Sequence, residues 1–426
     1  MTTSEGSHSQ AKPARVLGTV DAVVIGVAAM IGAGVFAVFA PAADSAGAWL
    51  PVALLIAGVI AYCNATSSAR LAARHPQSGG SYVYGRERLG ELWGYVAGWA
   101  FVVGKIASCA AMALTFAAYA VPQQWERPAA AAAVVVLTAV NYLGLRSSAW
   151  LTRVLLAVVL VVLGAVVVVA LGSGETDPAH LAVSREWPGF FGLLGAAGML
   201  FFAFAGYARI ATLGGEVRDP RRTIPRAITL ALAGVLVVYL AVGASVLMVM
   251  GRGALADSAA PLADTVVAAG WPQLVPAVVV GAALASLGAL LSLVLGVSRT
   301  VAAMAADGHL PGYLAGVHPR FGGAHRAEVA VGAVVVLLVL TMDVRGAIGF
   351  SAFGVLVYYA VANASALLLG PDENRPLLLV PVVGLAGCVV LAFSLPLDSV
   401  IAGVAVVVAG VAVWLLRRGV DWSGFR

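Results

Sequence analysis

The sequence predicts an all-α integral membrane protein with twelve transmembrane helices, ten of them in two inverted sets of five, whose first and sixth helices are broken. Three observations lead there. Of 426 residues, 61% are hydrophobic and only 11% charged, too little charge to cover a soluble surface of this size. The apolar runs reach the roughly twenty residues that cross a bilayer as a helix, and none shows the ten-residue alternation of a transmembrane barrel. Two of the runs, five spans apart, are interrupted by small residues at mid-depth.

The chain opens on a polar tail, residues 1–18, with no apolar core of its own, which is expected to remain as a cytoplasmic extension rather than act as a cleaved signal. Spans at about 20–44, 48–70, 91–121, 129–145 and 150–171 form the first repeat, residues 19–171. Spans at about 189–214, 224–250, 271–304, 326–342 and 346–369 form the second, residues 189–369. Two more, within 377–416, precede a cytoplasmic tail at 417–426. The third and eighth spans exceed the bilayer thickness and are expected to tilt or to extend beyond it. Cys63, Cys109 and Cys388 all lie in apolar segments, an odd buried set that reads as small filler and not as a disulfide framework.

Charge tests the topology. With the N-terminus inside, 19 of the 25 basic residues fall on the inner side, in loops, tails and the inner ends of spans. Arg127, Arg185, Arg252 and Arg345 fall outside, and Lys105 and Arg209 lie within spans. This is the positive-inside bias, and it places both termini in the cytoplasm and the protein in the inner membrane. The net charge of +5 is thereby accounted for by topology, without nucleic acid as a partner.

The first interruption is Gly32-Ala33-Gly34 within "AAMIGAGVFAVFA", residues 28–40. The second is Ala205-Gly206 within "MLFFAFAGYARIATLGGE", residues 199–216. Irregular backbone at membrane depth is tolerated only where protein or a water-filled cavity satisfies it. Glycine alone is weak evidence, since it also permits close helix packing. Two breaks at a five-span offset, one beside a charged residue, favour unwinding and point to a substrate site between inverted halves.

The chain resembles the amino acid–polyamine–organocation superfamily, and within it the bacterial amino acid permeases. The resemblance is carried by "DAVVIGVAAMIGAGVF" (Asp21–Phe36), "HPQSGGSYVYGRERLGELWGYVAGW" (His75–Trp99), "FFAFAGYARIATLGGEVRDPRRTIPRAI" (Phe201–Ile228) and "SRTVAAMAADGHLPGYLAGVHPRFGGAHRAEV" (Ser298–Val329). The last two spans carry little of it. It implies a secondary active transporter that moves an amino acid by alternating access, with a proton-coupled symporter expected. An exchanger, a sodium-coupled carrier, a non-transporting sensor and a channel remain as alternatives.

The resemblance implies a midplane site between the broken helices. Ile31, Gly32, Ala33 and Gly34 are carried over as carboxylate binders, consistent with the unpaired N–H groups and positive dipole end of a helix start. Phe204, Ala205 and Gly206 are carried over as binders of the amine through freed carbonyls. The ring of Tyr207 either caps the substrate or simply packs.

Lys105 lies fourteen residues beyond Glu91, roughly 21 Å along a helix, too deep to snorkel. Some proton-coupled relatives carry a lysine in the fifth span, where this sequence has Val159. Lys105 therefore reads either as a replacement titratable amine or as a fixed cation pinning exposed carbonyls. Arg209 remains protonated and needs a partner. That partner is either Glu216, seven residues on along the same face, or an acidic group of the substrate. Ser286 and Ser292 in the eighth span offer oxygens for a coupling sodium ion.

Gly308 and Pro311 in "AADGHLPGYL" are expected to close the eighth helix, and the loop at 75–90 to lie along the cytoplasmic face. No nucleophile–base pair, metal-ligand spacing or phosphate loop occurs, so the chain is not read as an enzyme and no cofactor is expected beyond a coupling proton or sodium ion.

Overall fold

The computed structural model describes residues 17–75, 79–144, 149–183, 187–211, 217–318 and 323–420. Among them the chain is helical throughout, apart from one isolated parallel bridge between Leu17 and Val217.

The first apolar run is divided into α1 (Thr19–Met30), α2 (Gly34–Ala37) and α3 (Phe39–Ala46). Val38, between the last two, is itself helical, so α2 and α3 form one nearly continuous rod. Pro51 in the first turn starts α4 (Leu50–Arg74), where its missing N–H is unneeded. A short α5 (Ser81–Leu89) follows, then α6 (Glu91–Ala120), α7 (Glu126–Tyr142) and α8 (Ala149–Gly172). The sixth apolar run is α9 (Gly189–Phe204), a tight 3-10 turn at Ala205–Tyr207, and α10 (Ala208–Ala211).

The second half continues with α11 (Pro220–Asp257), α12 (Pro261–Ala268), α13 (Val275–Ala306), α14 (His325–Thr341) and α15 (Val344–Leu367). Helices α16 (Leu379–Ser394) and α17 (Leu397–Val420) complete the chain. Each apolar segment read from the sequence coincides with one helix or a broken set of them. Among the described residues, nine helical stretches are long and apolar enough to cross a membrane. The seventh run outlasts its expected end, bending at Gly251 (φ 69°) before stopping at Asp257. Gly308 (φ 79°) ends α13, with His309 N–H returning to the Met304 carbonyl, as expected of a glycine stop.

The centre is built around α6 and α15. Gly104 and Gly354 cross so closely that a Cβ on the first would lie 3.1 Å from the second's Cα. Small residues let helix backbones meet where lipid offers no hydrophobic drive to association.

Polar contacts sort the loops onto two faces. On one, Glu373, between α15 and α16, accepts from Arg74 at 2.9 Å and from Arg88 at 2.5 Å. Beside it Asp307 accepts from Arg86 at 2.9 Å and from the Tyr82 hydroxyl at 2.6 Å, and Arg417 reaches the Gly308 carbonyl. On the other, Arg345 joins Asp44 at 3.3 Å and the Ala256 carbonyl, Arg252 reaches the Asp44 carbonyl at 3.0 Å, and His180 contacts the Met248 carbonyl at 2.9 Å. The loops joining α4 to α6, α13 to α14 and α15 to α16 therefore share a face opposite those joining α3 to α4 and α14 to α15.

Candidate functional site

The first break occupies Ile31–Ala33. Ile31 leaves helical geometry (ψ 72°) while its N–H still reaches Val27, and Gly32 N–H folds back to the Met30 carbonyl at 2.8 Å. Ala33 and Val35 are 1% and 0% exposed, and among the described residues neither N–H has a hydrogen-bond acceptor. Buried amides are almost always paired. Ala33 and Val35, with the buried Gly34 N–H between them equally without an acceptor, form a cradle for negative charge at the start of a helical rod.

The second break is a tightening rather than an unwinding. Ala205 N–H bonds to Phe202 and Ala208 N–H to Gly206, both shorter steps than the α-helical one. The two breaks lie directly on each other. A Cβ on Gly34 would stand 2.8 Å from the Ala203 Cα. A Cβ on Gly206 would stand 2.6 Å from Met30 N, and closer still to the Ala29 carbonyl. Gly32 faces α13, where its Cβ would be 3.1 Å from that of Ala289.

Tyr239 of α11 locks the two together. Fully buried, its hydroxyl lies 2.7 Å from the Met30 carbonyl and 3.1 Å from that of Ala203, one proton serving an acceptor at each break. Tyr119 of α6 likewise donates to the Phe36 carbonyl at 2.8 Å and accepts from Leu262 N–H at 3.1 Å. Neither tyrosine stood out in the sequence. Each lies in an apolar run with no neighbouring motif, and its partner is tens to hundreds of positions away.

The structure thus brings Ile31, Gly32, Ala33 and Gly34 against the turn of Phe204, Ala205 and Gly206. Tyr207 is fully buried with its ring 5.1 Å from that of Tyr359. Its hydroxyl lies beside Tyr359 and Asn64 without reaching hydrogen-bond geometry. Ser286 is fully buried and its hydroxyl has no partner among the described residues. It follows Ala285, whose carbonyl faces Gly32. Ser292 is exposed and bonds back to the Gly288 carbonyl at 3.1 Å, so the two serines do not converge.

Lys105 is 8% exposed and makes no hydrogen bond or ion pair among the described residues. The turn that carries it packs on α15, where Ser108 and Ser351 hydroxyls meet at 2.6 Å. Arg209 lies on α10 and is exposed. Its expected partner Glu216 lies outside the described residues.

A broken-helix cradle in a many-spanned chain narrows the class, and comparison with known proteins decides it. The amino acid permease family profile matches residues 17–415. The chain belongs to that family. The permease is 63% identical to an uncharacterized transporter of Mycobacterium tuberculosis over 95% of this chain and 91% of the relative. It is 29% identical to cationic amino acid transporter 4 of Homo sapiens, over 87% of this chain and 62% of the relative. It is 27% identical to the branched-chain amino acid permease BcaP of Bacillus subtilis, over 72% and 70%. The permease is accordingly a multi-pass membrane transporter for amino acids and not an enzyme.

Proposed function

We propose that the permease is a secondary active transporter with twelve crossings. In this reading an amino acid binds between the two breaks and is carried by alternating access of two inverted five-helix repeats. The observation that carries the reading is the pair of buried, unpaired N–H groups of Ala33 and Val35, set where the two broken spans touch. A substrate α-carboxylate satisfies both amides at the positive end of the α2–α3 rod. The ammonium group is then directed to carbonyls of the Phe204–Gly206 turn. The face bearing Arg74, Arg86 and Arg88 is cytoplasmic by the positive-inside rule, which puts both termini inside and the protein in the inner membrane.

Coupling is assigned to the proton, through Lys105. An amine this deep in a span and without a carboxylate partner is costly when charged, so its charge state responds to whichever face is open. A sodium-coupled reading is favoured by one observation, the unpartnered Ser286 hydroxyl beside the Gly32 contact. Counterflow of a labelled amino acid panel in proteoliposomes tests the function. Saturable exchange blocked by excess unlabelled substrate is expected, and its absence across the panel refutes the assignment. Accumulation driven by an imposed pH step without sodium supports the proton. A strict sodium requirement moves coupling to Ser286.

A further inference from the structure

Away from the breaks, unsatisfied polar atoms gather where α7 and α14 cross near the arginine-rich face. Both carboxylate oxygens of Glu328, the Nδ1 of His325 and the hydroxyl of Thr138 are buried and have no hydrogen-bond partner among the described residues. Glu328 itself is 1% exposed. These residues lie on one seam. His325, Glu328 and Gly332 follow at spacings of three and four on α14, and Thr138 and Tyr142 at four on α7, so each set shares a helix face. Gly332 has no side chain, and a Cβ there would stand 2.7 Å from the Thr138 hydroxyl oxygen, which therefore rests directly on α14. The Glu328 carboxylate turns back toward Gly323, whose Cβ would lie 3.3 Å from its Oε1. His318 N–H closes that turn on the Gly323 carbonyl at 2.8 Å. The rings of Tyr142, His318 and His325 pack against one another beside it, with centroids 5.1 to 6.0 Å apart.

An ionised carboxylate buried with no donor is among the most expensive groups a protein can hold, and its neutralisation by a bound positive charge removes the cost. The two oxygens of Glu328, with His325 one turn earlier on the same helix face, suit a small, hard, singly charged ion. We propose that this seam is a monovalent-cation site, holding a proton or a sodium ion at the cytoplasmic end of α14, separate from the substrate cradle.

Other charged groups near it are accounted for. Arg299 of α13 acts on Glu328 electrostatically but is itself exposed. Arg326 stacks over Tyr313 at 4.3 Å. On α6, which also packs on α14, Glu91 faces His309 at 3.4 Å and Lys105 lies about four turns deeper.

Thermal melts of the purified full-length protein in lipid nanodiscs test the site without reference to transport. One arm replaces choline chloride by sodium chloride at fixed pH and ionic strength. The other varies pH in choline alone, read as the difference between the parent and Glu328→Gln. The site predicts that at least one arm raises the parent's Tm by about 3 °C or more, with sodium or with acid, and that Glu328→Gln abolishes that response. A response to sodium identifies sodium as the ion, and a response to acid alone identifies the proton. A parent that responds in neither arm, or parallel curves for parent and Glu328→Gln, would overturn the proposal.

Discussion

Gly206→Ala tests whether the two breaks press on each other, because direct contact and open space predict opposite signs. Gly206 has no left-handed backbone to protect, so in an unobstructed helical turn alanine would be favoured by about 1 kcal/mol. Here the new Cβ would sit 2.6 Å from Met30 N and closer still to the Ala29 carbonyl. Real Cβ contacts essentially never fall under 3.0 Å, and the obstacle is backbone, which cannot rotate aside. The turn at Ala205–Tyr207 and the end of α1 must therefore part by several tenths of an ångström or more. Overpacking of this kind costs about 1–3 kcal/mol, and the opened seam also lengthens both Tyr239 contacts, each worth about 1 kcal/mol. The assay is counterflow in proteoliposomes beside a melting curve of the same preparation. Counterflow should fall at least about tenfold, as 1.4 kcal/mol of misplacement at the site implies, and the Tm should drop. An alanine variant with parental exchange and an equal or higher Tm would show that the two breaks do not touch during transport.

Three further outcomes follow from the geometry. Tyr239→Phe strands carbonyls at both breaks and should lower stability by about 1–3 kcal/mol and raise the substrate KM, read from melts and initial rates; an unchanged pair of values would remove Tyr239 from the site. Lys105→Ala should abolish accumulation driven by an imposed pH step while sparing counterflow at equal pH, and retained accumulation would exclude Lys105 from coupling. Hydrogen bonds from Arg88 and from Gly370 N–H hold the Glu373 carboxylate at about 2. A depressed acid contributes stability above its unfolded pKa and loses it as pH falls toward 2. This clasp between α4, α5 and the loop before α16 should therefore stay closed from pH 5 to 8. Glu373→Gln should increase amide hydrogen exchange in Ser81–Leu89 by the same factor at both pH values, and a difference confined to the lower one would contradict the assigned charge state.

The apolar helices were legible because lipid imposes a simple compositional rule. The first break was legible in Gly32-Ala33-Gly34 because a second interruption by small residues stands five spans on. The second was only half legible. Ala205-Gly206 marked the position, yet the chain there tightens to a 3-10 turn, because Gly206 must press on Met30 and an unwound segment would not fit. Tyr239 and Tyr119 were invisible for another reason. Nothing local distinguishes a tyrosine that bonds a distant carbonyl from one that fills space, and only the packing of α11 and α6 against the first span reveals their work. The bend at Gly251 was hidden likewise, since its positive φ answers to the His180 ring across the loop, 3.0 Å from where a Cβ would lie.

The account's central claim is that Ala33 and Val35 N–H groups receive the substrate carboxylate. The most direct measurement is competition in counterflow between a transported amino acid, its amide and its decarboxylated amine, each keeping the same side chain. The account predicts that the free acid competes at its own KM, while the amide and the amine compete at least about a hundredfold more weakly, having lost the charge that satisfies both amides. Equal competition by all three would contradict it and leave the first break without a carboxylate to bind.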